Sequence, residues 1–449
     1  MTLIETPPAV SPATGWKFAA YREDHLDNGL RVLVYDCPGQ FVIAASLLFD
    51  VPLTVEPRDV EGVATLTGRC LTQGAAALSA EEFADALALC GADLEASAFP
   101  DGFAVRLSVP VRQLTTALQL MADATVRPAF SDDEFEHEKR LRLEEIKQAA
   151  AYPQHVAVEH ANAAIFGAAR AARPVGGTVR TVEAVRREDV VAFAAHLQPG
   201  NATLVVAGDF GGDDPMVSIG RGFGGWSRDG TVRGAPEPAR PRSTPQVVLV
   251  DFPEAPQATL RLVGPGILRS DVRWPAMFVA NYAVGGNFAS RINTVLREEK
   301  GLTYGATSSL DTSRDVGVVA ISTAVRSDAT ADALADIVRI LEDSVGSITA
   351  DESATAVSAA TQSAALGFER AEAVVGRVEM LLSQGLPLTH VDDNLERIRK
   401  VTTAAANSAY TDVVDPARLT VVVVGDSVSL EGPLRAWGHA DVELVTPER

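Results

Sequence analysis

Two apolar strands 217 residues apart end on the same Gly-Asp turn, and this repetition constrains the fold more than any other feature of the chain. "NATLVVAGDF" (201–210) returns as "ARLTVVVVGDS" (417–427), with Gly208-Asp209 answered by Gly425-Asp426. Each strand follows a helical stretch, "TVRTVEAVRREDVVAFAAHLQP" in one case and "HVDDNLERIRKVTTAAANSAY" in the other. Between the copies lies "SRDGTVRGAPEPARPRSTPQ" (227–246), which is rich in Pro, Gly, Arg and Ser and has no apolar period. Such a segment is expected to be an extended linker. The expected organisation is a tail over 1–19, an N-terminal half over 20–226, the linker over 227–246 and a C-terminal half over 247–449. The expected fold is α+β: two similar halves, each an antiparallel-rich sheet with helices packed on one face.

Charge narrows the partners. The 449 residues carry a formal net charge of −20, which phosphate backbones repel, so nucleic-acid binding is disfavoured. Acidity of this size serves solubility, or lines an inner wall that attracts basic ligands. The three cysteines, Cys37, Cys70 and Cys90, are odd in number and widely spaced with no C-x-x-C, which fits buried thiols in a reducing compartment. The N-terminal stretch has neither a basic n-region nor an apolar h-region, and no apolar run approaches membrane-spanning length. A cytoplasmic protein without a membrane segment is expected.

Within the first half, "GLRVLVYD" and "QFVIAASLLFDV" read as strands. "SAEEFADALALCG" reads as a helix with a Ser79/Glu82 capping box, an apolar face of Phe83, Leu87 and Cys90, and Gly91 at its end. "DLEASAFPDGFAVRLSVP" alternates and turns at Pro100-Asp101-Gly102, as a hairpin does. Leu114, Leu118 and Met121 stripe a further helix. A longer one starts at Ser131, again with the spacing of a capping box to Glu134. Seven residues separate Glu138 from Glu145 on it, so both lie on one face. "HVAVEH" (155–160) imitates a metal motif, but His155 and His160 are five apart, about 140° around a helix, and do not share a metal easily. In the second half, "GGNFASRINTVLREEKGLTYGATSSL" (285–310) reads as a helix and then a strand. Phe288, Ile292, Val295 and Leu296 form its stripe, Arg297 lies in its last turn, Gly301 ends it and Tyr304 begins the strand.

"EGVATLTGRCLTQGA" (61–75) reads as a short amphipathic helix whose frame is Gly62, Ala64, Leu71 and Gly74. With these residues the chain resembles, over about 20–445, the pitrilysin/insulinase-type zinc metallopeptidases, including the mitochondrial processing peptidase subunits and their bacterial relatives. That family carries the inverted motif H-x-x-E-H on this helix, two His binding zinc and the Glu acting as base. Here the three positions are Thr65, Gly68 and Arg69. Thr and Gly replace neither ligand nor base, and Arg69 adds a permanent positive charge where the cation would sit. The family's third ligand lies roughly 75 residues downstream, with a second Glu seven residues before it. Glu145 and Glu138 match that pair, either as relics that pair with Arg69 or as a plain polar helix face.

The C-terminal motif of the family is intact. Its Arg and Tyr, seven residues apart, face the zinc across the chamber and contact substrate, and Arg297 and Tyr304 match both. Without the resemblance, Arg297 also reads as a helix C-cap and Tyr304 as core. The resemblance therefore implies no catalytic and no metal-binding residue in this chain, Arg297 and Tyr304 as substrate-binding residues, and zinc in a homologous partner. It implies a non-catalytic subunit of a heterodimeric zinc endopeptidase acting on an unfolded peptide, bound as an added strand at a sheet edge. The alternative is a pseudo-enzyme scaffold or peptide-binding assembly subunit with no role in turnover.

Overall fold

The structure is a computed structural model, and it describes residues 15–227 and 239–446. Most of the expected linker, 228–238, and most of the expected tail, 1–14, lie outside the described residues.

Strands β1 (Tyr21–His25), β2 (Arg31–Asp36), β3 (Val42–Phe49), β4 (Asp93–Phe99), β5 (Gly102–Pro110) and β6 (Ala202–Gly208) form one sheet in the order β1-β2-β6-β3-β5-β4. Strands β7 (Gln246–Asp251), β8 (Gln257–Pro265), β9 (Ala306–Thr312), β10 (Gly317–Arg326), β11 (Thr420–Gly425) and β12 (Val442–Val445) form the other, in the order β12-β7-β11-β8-β10-β9. Five strands thus repeat in one topology, and the sixth edge is filled differently. β1 precedes its neighbour and runs antiparallel to β2, whereas β12 follows at the end and runs parallel to β7. The recurring Gly-Asp turns close equivalent parallel pairs, Asp36 with Gly208 and Asp251 with Gly425. The remaining pairings are antiparallel.

The first half carries α1 (Val63–Leu71), α2 (Ala80–Cys90), α3 (Leu114–Val126), α4 (Asp132–Ala149), α5 (Pro153–Phe166), α6 (Val179–Ala184), α7 (Arg187–Ala194) and α8 (Pro215–Phe223). The second carries α9 (Trp274–Asn281), α10 (Arg291–Asn293), α11 (Thr330–Asp343), α12 (Ala350–Gly367), α13 (Ala371–Ser383), α14 (His390–Arg399), α15 (Thr403–Val413) and α16 (Ser427–Trp437). Ser79 and Glu82 form the expected capping box, and Gly91 ends α2 at φ +61. Ser131 accepts the Glu134 N–H without the reciprocal bond. The expected hairpin turns within Pro100-Asp101, with Phe99 paired to Gly102.

Helices of each half cover one face of its own sheet, where Val32, Val34, Leu47 and Phe49 meet α1, α3 and α8. The opposite faces are covered reciprocally. From the second half, α13 lays Ala371, Val374, Val375 and Val378 on Leu33, Tyr35, Val205 and Ala207 of the first sheet. From the first half, α5 lays Val156, Ala157, Ala161 and Ile165 on Val248, Val250, Val422 and Val424 of the second. Burying each such valine contributes roughly 1.5–3 kcal/mol, so each half completes its neighbour's core. Polar contacts fix the same seam. Glu379 of α13 accepts from Ser46 at 2.9 Å and pairs with Arg106. Arg314 donates through Nη1 to Asp50 and through its backbone N–H to Asp101, both at 2.8 Å.

No helix among the described residues is long and apolar enough to cross a membrane. Cys70 and Cys90 are buried and Cys37 is half-buried; all three are free thiols.

Candidate functional site

The helix of the degenerate motif is placed by a buried ionic network. Gly62 precedes α1 at φ +100, and a Cβ there would stand 2.8 Å from the Gly176 carbonyl. Gly has no side chain to cap the helix, so Glu56 does so from outside: its Oε1 accepts the N–H groups of Gly62 at 2.9 Å and Ala64 at 3.0 Å. Arg170 donates to the other oxygen of Glu56 at 2.8 Å, and Arg173 holds Glu61 at 2.6 Å. Burial pushes the Glu56 carboxyl above its usual range, against the pull of Arg170 and the two backbone donors. None of these four residues stands out in the sequence; the one available signal is Glu56 and Glu61 flanking Pro57 just ahead of the motif helix.

On α1 the three motif positions have separate fates. Thr65 Oγ1 lies 3.5 Å from the Val175 carbonyl. At Gly68 a Cβ would stand 2.7 Å from the Ala96 carbonyl, so α1 rests directly on β4 and any side chain there would have to displace the strand. Arg69 reaches across to α4. Its Nε donates to Glu138 Oε2 at 2.7 Å, and its Nη1 donates to both oxygens of Glu145 at 3.0 Å. Glu138 is buried, and Arg142 makes a further bond to Glu145 at 3.3 Å. Burial alone would lower the Arg69 pKa; the hydrogen bond and charge of Glu138, with those of Glu145, outweigh it and hold the guanidinium above its ordinary value. The two glutamates that match the family pair are thus the carboxylate partners of Arg69.

These residues do not fit a zinc ion. Two of the three positions offer a hydroxyl and nothing, the third is a cation, and the two carboxylates that could bind metal already bind that cation. Among the described residues, no group of three or more His, Cys, Asp or Glu could hold a metal. His155 pairs with Glu159, and His160 faces the Val156 carbonyl one turn back, so the look-alike motif on α5 is not brought together.

Arg297 lies in widened π-helical turns over Thr294–Glu299 that continue α10, and Gly301 follows at φ +61. The expected stripe needs correcting at Phe288. Asn287 forms a turn that accepts the Ala289 N–H, and the helix begins only after Ser290. Phe288 is therefore 65% exposed, and the Arg297 guanidinium stacks on its ring, 4.0 Å from the centroid. Arg297 also donates to Glu298 at 2.5 Å.

Tyr304 differs from expectation in its element as well. It stands in the turn before β9, which starts at Ala306, and it is 92% exposed. That turn is nevertheless fixed. Buried Asn293 exchanges two hydrogen bonds with the Ala306 backbone, at 2.8 and 2.9 Å. Thr303 Oγ1 accepts the Gly305 N–H at 3.1 Å and is held by Thr323 at 2.9 Å. Tyr304 borders a cavity of about 440 Å³ floored by Thr259, Arg261 and Ser322. A larger cavity of about 880 Å³ lies between the halves, and neither Arg69 nor Arg297 nor Tyr304 lines it. Asn293 is the residue that sequence reasoning passed over; an asparagine inside an apolar helical stripe was the signal.

Residues 31–179 match the profile of Insulinase (Peptidase family M16), and residues 184–359 match that of the Peptidase M16 inactive domain. An uncharacterized zinc protease of Mycobacterium tuberculosis is 28% identical over 355 residues, which cover 77% of this chain and 78% of that protein. Among solved structures, a peptidase M16 inactive domain from Pseudomonas fluorescens superposes with a TM-score of 0.83 at 21% identity, covering 91% of this chain and 98% of the other. A chain of Complex III2 from Candida albicans does so with a TM-score of 0.77 at 16% identity, covering 93% and 99%. At these identities the two structures speak for the fold alone.

Proposed function

Because the chain belongs to the insulinase-type peptidase family M16, we propose that it is the non-catalytic subunit of a heterodimeric zinc endopeptidase of the cytoplasm. A homologous partner carries H-x-x-E-H and the zinc. This chain closes the chamber and offers Arg297 and Tyr304 to an unfolded peptide. The observation that carries the reading is the Arg69 guanidinium bound between Glu138 and Glu145, which takes up the carboxylates a divalent cation would need between α1 and α4. A fixed turn that presents an exposed Tyr304 supports the second part, because an anchored backbone leaves only the side chain to be ordered when the phenol donates a hydrogen bond. Arg297 supplies a planar fork for a peptide carbonyl or a developing oxyanion. Mixing the chain with a zinc-bearing homologue and following cleavage of a flexible peptide tests the proposal. A partner fully active alone, and indifferent to this chain, would end it.

One observation favours the scaffold reading. Arg297 already has partners, the Phe288 ring and Glu298, and a surface arginine satisfied in this way needs no substrate. Under that reading the chain binds its partner, and Arg297→Ala leaves turnover by the complex unchanged.

A further inference from the structure

Where α13 and α14 meet the loop before α9, the C-terminal half holds an excess of partly buried positive charge. Arg269, in the loop between β8 and α9, lies over the Trp274 ring at 4.5 Å. Arg377, on α13, lies over the Phe368 ring at 5.0 Å. Both are half-buried, and among the described residues neither has a carboxylate partner; the Arg269 Nε is fully buried with nothing to donate to. His390, the first residue of α14, is 8% exposed, and its Nε2 is buried without a partner. One turn on, the Asn394 Oδ1 is likewise buried and unpartnered.

The elements that carry these groups are held together. Arg397 of α14 donates to the Val272 carbonyl in the Arg269 loop at 3.0 Å. Val391 and Leu395 of α14 share one apolar cluster with Phe368. The groups feel one another. Burial and the charge of Arg377 push the Arg269 guanidinium down to about 10. Burial, then Arg269 and Arg397 and more weakly Arg377, push His390 below its usual range against the opposing charge of Asp393. The nearby acids are engaged elsewhere: Asp271 with Arg273, Asp392 with the Phe18 N–H and Asp393 with the Thr389 hydroxyl.

Half-buried guanidiniums without counter-ions are costly, and buried unpaired polar atoms call for a partner. A chain of net charge −20 has carboxylates in plenty, yet among the described residues none pairs with these two. We infer that Arg269, Arg377 and His390 form a binding site for a small oxyanion, such as a phosphate or carboxylate group. A guanidinium that lies over an aromatic ring keeps its N–H donors available for an oxyanion, which planar forks bind well. This inference does not rest on the peptidase reading.

Thermal unfolding of the full chain at pH 7 tests it, with sodium phosphate or sodium acetate against sodium chloride at matched ionic strength. Phosphate, acetate or both are expected to raise the melting temperature saturably by several degrees, and the one that does so identifies the group. Arg377→Gln and Arg269→Gln should weaken that binding at least tenfold. Without the anion they should melt no lower than the wild type, since each removes a repulsion. If either fails to fold, Arg377→Lys, which keeps the charge and loses the fork, should still weaken binding at least tenfold. The His390 ring ¹⁵N signal should move with the anion in the wild type only. No saturable shift with either anion, or equal affinity in the variants, would overturn the site.

Discussion

The Arg69 guanidinium lies 2.7 Å from Glu138 and 3.0 Å from Glu145, bridging α1 and α4 where the family motif would place a divalent cation. One guanidinium on α1 thus ties the helix pair through two carboxylates on α4.

Arg69→Met should therefore destabilise the chain. It strands a buried Glu138 carboxylate, and the cost is about 2–3 kcal/mol after discounting for the quarter of Arg69 that is exposed. Denaturant unfolding measures it. The double variant Arg69→Met/Glu138→Gln should recover most of the loss, whereas additive losses would show that the pair is unimportant.

Gly68 is expected to tolerate no side chain. The Ala96 carbonyl stands 2.7 Å from the place of a Cβ, so Gly68→Ala should cost roughly 1–3 kcal/mol by overpacking. A melting temperature within a degree of the wild type would mean that α1 can lift off β4.

Asp101 makes stability depend on pH. Burial pushes its carboxyl up to about 6 although the Arg314 N–H pulls it down. The folded state thus holds this proton more tightly than the unfolded chain. The stabilisation is complete below the ordinary carboxylate pKa and is lost as pH rises through about 6. Asp101→Asn should be more stable than the wild type at pH 7.5 and lose that advantage by pH 4. A difference independent of pH would contradict the assignment.

Because α5 and α13 are exchanged across the seam, neither half should fold alone. Residues 15–226 expressed alone should show exposed apolar surface and no cooperative melt, and co-expression with 239–449 should restore one transition. A cooperative melt of the isolated half would show that its sheet needs no helix from its neighbour.

Much of this was legible in the chain. The repeated Gly-Asp turn announced two similar sheets, and the frame of α1 with its three substitutions announced a motif without ligands. Reciprocal helix packing was less visible, although "TVVVVG" held the hint. Its residues are buried on both faces, and a strand with helices on one side only would alternate. Contacts between distant segments were not legible. Nothing local marks Glu56 as the cap of α1, or shows that Gly68 meets Ala96, because both depend on how the chain returns from elsewhere. Phe288 was misplaced because its apolar period continues past the point where the Asn287 turn starts the helix late.

Tyr304 separates stability from function. The side chain is exposed, so Tyr304→Phe should change stability by less than about 0.5 kcal/mol. Asn293→Ala strips two bonds from the backbone of β9 and should cost roughly 2–3 kcal/mol. Denaturant unfolding of the two variants side by side checks both.

The most direct measurement is peptide cleavage by a zinc-bearing homologue mixed with wild-type chain or with Arg297→Ala. The account predicts no cleavage by this chain alone, cleavage by the mixture, and a loss of at least about tenfold with the variant, in line with removal of one oxyanion donor. Equal rates with both chains, or cleavage by the lone chain, would contradict it.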